Sequence, residues 1–313
     1  MRNATIRQLR ALGAVAKTGS VTRAAEMLRL TAPAVTLQLQ ALQQEAGVKL
    51  IDRGPAGMIL TEAGREVAAA AQRIDAVLSE CDAVLGDLAG ARRGAVAAGI
   101  TSTAKYFAPR ALGAFSRRHP GLELRLGVGN RAETIAGLRD HTLDLAVMGQ
   151  PPEELAVHAT ILGPHPHVVV TPVDHRLAGQ VGVSPGALEG EPFLVREDGS
   201  GTRSLMRRFF HDAGVVPKIF MELGSNETIK QAVLAGLGIA FLSAHTIELE
   251  VQTGRLAVLD VVGLPAMRQW YVVHLADRRL TLAARALHEF LVNEGAQYLP
   301  DLCHPLPSGQ QIL

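Results

Sequence analysis

Residues 19–53 read GSVTRAAEMLRLTAPAVTLQLQALQQEAGVKLIDR, and the punctuation within this stretch decides how the N-terminal part folds. Gly19 ends a preceding helix in which Ile6, Leu9, Leu12, Gly13 and Ala16 recur at helical spacing. Ser20 stands where an N-cap belongs, so residues 21–28, with the small pair Ala24 and Ala25, predict a second short helix. Thr31 is the next N-cap and Pro33 is tolerable only in a first turn. A third helix therefore runs over about 32–45, with Val35, Leu39 and Leu42 inward. Three short helices with a tight turn between the last two make a helix-turn-helix, whose final helix can enter a DNA major groove.

Gly47 closes the third helix, and the run Arg53-Gly54-Pro55-Ala56-Gly57 is a turn between two apolar pieces, which predicts a two-stranded wing. On this reading Thr31, Pro33, Thr36 and Gln38 face the groove, and Arg53 reaches a phosphate or the minor groove from the wing. Ser20, Thr22 and Arg23, at the start of the second helix, complete the candidate set. The bland alternative is a helical domain with ordinary solvated polar residues. Charge favours the first reading. Residues 1–65 hold nine Lys or Arg against four acids, while the remainder holds 22 against 26. The net charge of +1 over 313 residues is thus the sum of a basic head and an acidic body. All 12 aromatic residues and all 11 histidines lie after residue 90, which separates the two parts further.

Residues 62–90 carry apolar side chains at steps of three and four, from Ala63 through Val67, Ile74, Val77, Cys81 and Leu85 to Leu88, with no proline. This predicts a linker helix of roughly 40 Å whose seam pairs with a second chain, giving a homodimer or homotetramer, the bland alternative being that it packs against its own chain. Cys81 on that seam reads as a small core residue rather than a redox sensor. With Cys303 far away and no CxxC pair, the two cysteines offer neither a disulfide framework nor a zinc site.

From residue 91 to 300 strand-like and helical runs alternate: strands at 95–100, 122–128, 143–148, 168–171, 193–195, 218–222, 239–242 and 270–275, with helices between them. This is an α/β pattern. Two lobes are expected, lobe I over about 94–165 and 267–300 and lobe II over about 166–266, with residues 301–313 as a tail. Such folds bind ligands at strand C-terminal ends, near helix N-termini. Three ends stand out: Thr101-Ser102-Thr103; the loop of residues 196–203, REDGSGTR, with Ser200, Gly201, Thr202 and Arg203; and Gly224-Ser225-Asn226. Met148 and Gly149 close a further strand on the same side. Hydroxyls, backbone amides and an arginine together favour a small anion, carboxylate or phosphate. Taken singly, each Ser or Thr is as well explained as a plain N-cap.

Enzyme chemistry is not supported, because no GxSxG, HExxH, Walker or complete GxGxxG pattern occurs and no nucleophile with a base is evident. His165-Pro166-His167 with His175 lacks a carboxylate partner and the prolines disfavour a metal site, so neither metal nor cofactor is expected. The longest apolar run, around 234–244, is too short to span a bilayer, and the N-terminus is too interrupted for a secretory signal. A cytoplasmic protein without a membrane partner is the expectation.

Residues 6–64, with the stretch quoted above followed by LTEAG, resemble the DNA-binding domain of LysR-type transcriptional regulators. The resemblance implies an all-α winged helix-turn-helix domain over 1–61, a linker helix over 62–90 and a two-lobed effector domain of periplasmic-binding-protein type over 91–300. The implied partners are a double-stranded DNA operator, a metabolite effector and RNA polymerase. Leu12 and Ile51 stand where the family commonly has Phe, Ala32 where Gln is frequent, and Leu37 where Arg is frequent. The last two changes remove possible base or phosphate contacts. TSTAKYFAPRAL at 101–112, REDGSGTRSLMRRFF at 196–210 and the stretch 226–261 are similar to the subgroup controlling RuBisCO operons. That similarity implies a phosphorylated sugar, phosphoenolpyruvate or an NADPH-like effector. The alternative is a regulator of another metabolic operon with a carboxylate effector.

Overall fold

The computed structural model describes residues 1–55, 57–88 and 94–300. The chain divides into two compact units, the first spanning Met1–Leu85 and the second beginning at Gly86.

The first unit contains α1 (Ile6–Thr18), α2 (Val21–Leu28), α3 (Ala32–Ala46), the antiparallel pair β1 (Ile51–Gly54) and β2 (Gly57–Leu60), and α4 (Glu62–Leu88). Each helix boundary has a local cause. Thr5 and Gln8 form a reciprocal capping box, Ser20 caps α2 and Thr31 caps α3, and Gly19 and Gly47 end α1 and α3 in the left-handed region. Arg29 ends α2 with φ 56°, a conformation uncommon for a residue with a Cβ, which makes the tight turn before α3. Leu9, Leu12, Val15, Ala24, Val35, Leu39, Leu42 and Leu50 form the core, joined by Ala68 and Ala71 from the start of α4. Ile6 and Ala16, which share the helical spacing, are exposed, because the buried face of α1 is set by Leu9, Ala11, Leu12, Ala14 and Val15. The LTEAG motif also finds its reason here. A Cβ on Gly64 would overlap the Leu50 carbonyl oxygen, so only glycine lets the first turn of α4 pack on the chain entering the wing. Farther along α4, Ile74, Val77, Cys81 and Leu85 are exposed, so Cys81 is not a core residue of this chain.

The second unit runs β3 (Gly94–Thr101), α5 (Ala108–Arg118), β4 (Leu122–Gly129), α6 (Arg131–Arg139), β5 (Leu145–Met148), β6 (Val157–Pro172), β7 (Pro192–Arg196), α7 (Gly201–Asp212), β8 (Lys218–Leu223), α8 (Asn226–Leu234), β9 (Ile239–Ser243), α9 (Glu248–Gln252), β10 (Leu256–Val258), β11 (Ala266–Leu275) and α10 (Leu282–Glu294). Its nine strands lie in the order β4-β3-β5-β11-β6-β9-β7-β8, with β10 on β6. Parallel strands lie toward each end, around β3 and around β7, and the antiparallel pair β6 and β11 joins the two lobes.

Buried on both faces, the inner strands of the second lobe, β9, β7 and the second half of β6, read as largely apolar runs, whereas the edge strand β8 is exposed. Val169 faces a core with Phe193, Phe210 and Phe241, while Val168 and Val170 face another with Ile229 and Val233. The first lobe packs Val96, Ile100, Phe107 and Phe115 with Trp270, Leu287 and Phe290.

The sequence pattern shows β6 only from residue 168, and the strand is 16 residues long. Pro164 and Pro166 obscure its first half. They have the same parity along the strand, and over 157–166 β6 pairs with β11 alone, so their missing N–H groups are tolerated on the open side.

Candidate functional site

The second unit holds a partly open cleft of about 500 Å³, a volume that includes solvent at its mouth. Its walls come from the strand and helix ends that the topology gathers: Thr101, Ser102 and Thr103 after β3, Gly149 and Gln150 after β5, and Arg196 at the end of β7. Ser200, Gly201 and Thr202 at the start of α7 complete that side. Ser200 occupies the N-cap of α7 without a side-chain cap bond, so its hydroxyl is not committed to the helix. Free first-turn amides and the helix dipole suit that end of the cleft to negative charge.

Arg196 is the buried cation of the site. Its Nε and Nη2 donate to the Glu197 carboxylate at 2.7 and 2.8 Å, Nη1 donates to Asn226 Oδ1 at 2.6 Å, and Nη2 also reaches Ser102 Oγ at 3.1 Å. Two half-buried arginines also line the cleft. Arg131 donates to the Pro151 carbonyl at 3.2 Å and Arg268 to Gln150 Oε1 at 3.0 Å. Burial and the neighbouring Arg208 push the Arg268 guanidinium down from its ordinary value. The lining contains three arginines and no carboxylate.

The far wall is formed by the imidazoles of His165 and His167, backed by Trp270 and His245. His165 stacks on Trp270 with ring centroids 3.7 Å apart, and its Nε2 lies 3.0 Å from Ser243 Oγ. His167 Nδ1 donates to the His165 carbonyl at 3.2 Å. Trp270 Nε1 donates to His245 Nδ1 at 3.0 Å. Burial holds all three imidazoles neutral, pushing His165 well below the usual range, His167 to about 3 and His245 to about 4. Among the described residues His165 Nδ1 has no hydrogen-bond partner.

Of the residues singled out for a ligand, Thr101, Ser102, Thr103, Gly149, Ser200, Gly201 and Thr202 line this one cleft. Met148, Arg203 and Asn226 do not, and each has a physical reason. Met148 is wholly buried in a core with Ile135, Leu138 and Val273. Arg203 turns back over the first turn of α7, where Nη1 donates to the Arg196 carbonyl at 2.7 Å and Nη2 lies 3.3 Å from Glu222. Asn226 stands behind Arg196 as its acceptor, and Ser225 is a plain cap on α8. The arginine in the wall is therefore Arg196, not Arg203. Arg131, Gln150, His165, His167 and Arg268 were not expected there. Only the repeated imidazoles of His165-Pro166-His167 left a signal, which was weighed as a metal site and set aside. His175 instead lies 3.2 Å from Glu191, and among the described residues no cluster of His, Cys, Asp or Glu could hold a metal ion. Asp144 is structural, accepting from Ala97 N and pairing with Arg278.

On the head, Thr22, Arg23, Thr31, Pro33, Thr36 and Arg53 are exposed, while Ser20 and Gln38 are half-buried. Thr31 Oγ1 accepts from Ala34 N at 3.4 Å, Ser20 Oγ accepts from Arg23 N at 3.5 Å, and Thr36 Oγ1 donates to the Ala32 carbonyl at 3.0 Å. Gln40, passed over in the sequence, is exposed on the same helix. All nine cations of residues 1–65 are exposed.

A winged helix-turn-helix unit followed by a two-lobed unit with a cation-lined cleft is the arrangement of a DNA-binding regulator with a ligand-sensing part. Residues 6–65 match the family described as bacterial regulatory helix-turn-helix protein, lysR family, and residues 89–296 match the LysR substrate binding domain. The chain belongs to the LysR family of transcriptional regulators. It is 49% identical over 308 residues to the HTH-type transcriptional regulator CbbR of Xanthobacter flavus, covering 98% of this chain and 91% of that one. It is 45% identical over 293 residues to the RuBisCO operon transcriptional regulator of Allochromatium vinosum, covering 94% and 97%. Among solved structures it is similar to the CcmR regulatory domain of Synechocystis PCC6803 in complex with 2-PG. That match has a TM-score of 0.62 and 38% identity and covers 64% of this chain and 96% of that one. Among the described residues no helix is long and apolar enough to cross a membrane.

Proposed function

We propose that this regulator controls transcription of a carbon-fixation operon encoding RuBisCO, and that its cleft senses a small phosphorylated metabolite. The names of the relatives just described support the operon, and the complex of the similar CcmR domain with 2-PG supports a small anionic ligand. The observation that carries the ligand class is the cleft's own charge: Arg131 and Arg268, which no ion pair engages among the described residues, and Arg196, paired with Glu197, with no carboxylate in the lining, beside the start of α7. An anion entering there meets groups already oriented by their own hydrogen bonds, so little reorganisation opposes binding.

In this reading residues 1–61 hold the operator through α3 and the wing. Residues 62–90 pair two chains through the exposed apolar residues of α4, and residues 91–300 sense the metabolite. Occupancy shifts the balance between two conformations of the assembly and with it DNA bend or contact with RNA polymerase in the cytoplasm. Only a ligand with different affinity for those conformations can do this.

The test is a thermal-shift screen of the full chain with a phosphorylated sugar, phosphoenolpyruvate, NADPH and simple carboxylates. A ligand at 100 times its Kd stabilises by about 2.7 kcal/mol, which is easily measured. Stabilisation by phosphorylated compounds is expected. Stabilisation by carboxylates alone transfers the chain to another metabolic operon, and stabilisation by none removes the cleft as an anion site.

A further inference from the structure

On α3, Val35, Leu39 and Leu42 are buried, and the helical repeat of 100° per residue then fixes what the opposite face shows. Leu37 lies about 165° from the centre of the buried stripe, with Pro33 and Gln40 flanking it, whereas Gln38 lies only about 65° away. Exposure agrees with this geometry, since Leu37 is 64% exposed, the highest value among the large apolar side chains of residues 1–65. The two threonines nearby are committed to the helix itself. Thr36 donates its hydroxyl proton to the Ala32 carbonyl and Thr31 accepts from Ala34 N. The N-terminal half of the outward face is therefore apolar at its centre, with Gln40 and Gln44 exposed farther along it, and it is set in a surface whose nine cations are all exposed. Such a surface is complementary to a polyanionic duplex, and an aliphatic side chain at its reading helix can engage one feature unique to one base: the C5 methyl group of thymine in the major groove.

We propose that Leu37, flanked by Pro33, reads a thymine in each half-site by packing against its C5 methyl. The substitution of leucine for a frequent arginine then replaces a hydrogen-bonding or phosphate contact with an apolar base contact. This inference rests on the reading of α3 as the DNA-facing helix, and the experiment separates the two.

The full chain is used to select binding sites from a pool of random-sequence duplexes. Each thymine of the most enriched duplex is then replaced in turn by deoxyuridine, which removes only the methyl. With the wild-type protein, one replacement per half-site is expected to weaken binding about fourfold, the effect of uncovering one buried methyl. In Leu37→Ala the natural duplex binds correspondingly less tightly and the deoxyuridine effect disappears. In Leu37→Met, which keeps an aliphatic reach, it persists. Leu37 is a surface position, and far-UV circular dichroism checks that each variant is folded. Absence of any enriched sequence overturns both the DNA-facing reading and this inference. An enriched site whose deoxyuridine effect is unchanged in Leu37→Ala, or absent in wild type, overturns the role of Leu37 alone.

Discussion

In the head every lysine and arginine of residues 1–65 stands in solvent, whereas in the sensing unit Arg196 and Arg203 are buried and the lining of the cleft is cationic. The head has no histidine and no aromatic residue, while the sensing unit buries three imidazoles around its single tryptophan. The same charge thus acts by two different laws. Exposed cations facing a polyanion work at long range, add up over many weak contacts and are screened by salt. A buried guanidinium works at one place, through oriented hydrogen bonds, and its loss leaves partners without compensation. Perturbations should therefore separate the two units cleanly, and Trp270 fluorescence reports on the second unit alone.

The largest effect is expected from Arg196→Met. Removing this side chain orphans Glu197, Asn226 and Ser102 together, as well as the anion contact. Breaking a buried ionic network in this way costs about 3–5 kcal/mol. Unfolding followed by Trp270 fluorescence should shift by that amount, and stabilisation by an anionic ligand should vanish. The affinity of the head for DNA, measured on the same protein below its unfolding range, should remain near wild type. Arg203→Met should instead leave ligand stabilisation in place, since Arg203 lies outside the lining.

Acidification gives the second contrast. His165, His167 and His245 have folded values far below the unfolded value near 6.5, with burial as the first cause. Below pH 6.5 the unfolded chain takes up protons that the folded chain refuses. Their contribution is therefore fully present above pH 6.5 and is lost as pH falls toward about 4. At pH 5.5 each group removes on the order of 1 kcal/mol, so the three together remove a few. The Trp270 transition should move to lower temperature between pH 7 and 5.5. The helical signal of the histidine-free head should not follow it, and a parallel fall of both would break the contrast.

What was legible in the sequence follows the same division. In the head, caps, glycines and the 3.6-residue period are local signals, and they gave three helices, the tight turn and the wing close to where they lie. Even the outward face of α3 was available from the spacing of Val35, Leu39 and Leu42, which turns Leu37 and Gln40 out and Gln38 partly in. In the sensing unit the alternation of strands and helices was equally plain, and so was the gathering of Ser102, Ser200 and Thr202 at strand and helix ends. The choice between Arg196 and Arg203 was not, because both sit in one loop and only the rotation of the first turn of α7 decides which enters the cleft. His165 and His167 were illegible as wall residues because the prolines beside them disguise the strand that carries them.

A third perturbation strikes the head and spares the sensor. Gly64→Ala places a methyl against the Leu50 carbonyl oxygen, where backbone rather than a flexible side chain must yield. Overpacking of this kind costs about 1–3 kcal/mol, enough to unfold a small helical domain in part. DNA binding and the helical signal should fall together, while ligand stabilisation read through Trp270 is retained. Loss of both signals would show that the two units do not unfold independently.

The smallest effect, and the finest test of the solvent-exposed regime, is expected from Arg53→Ala on the wing. Arg53 is exposed and pairs across the wing with Met58, and no ion pair holds it among the described residues. Its removal should leave stability unchanged. As a phosphate contact it contributes about one released counterion, so the slope of log affinity against log salt should become shallower by about 0.9. Binding should weaken by a similar factor on every duplex, enriched or random, because a phosphate carries no sequence information. Loss confined to enriched sites would instead assign Arg53 a base contact in the minor groove. An unchanged slope with unchanged affinity would remove the wing from the interface. Combined with Leu37→Ala, the two substitutions should add in free energy and differ in kind. One changes how binding depends on salt and the other how it depends on a single methyl group, so exposed charge and exposed carbon on one small head can be measured apart.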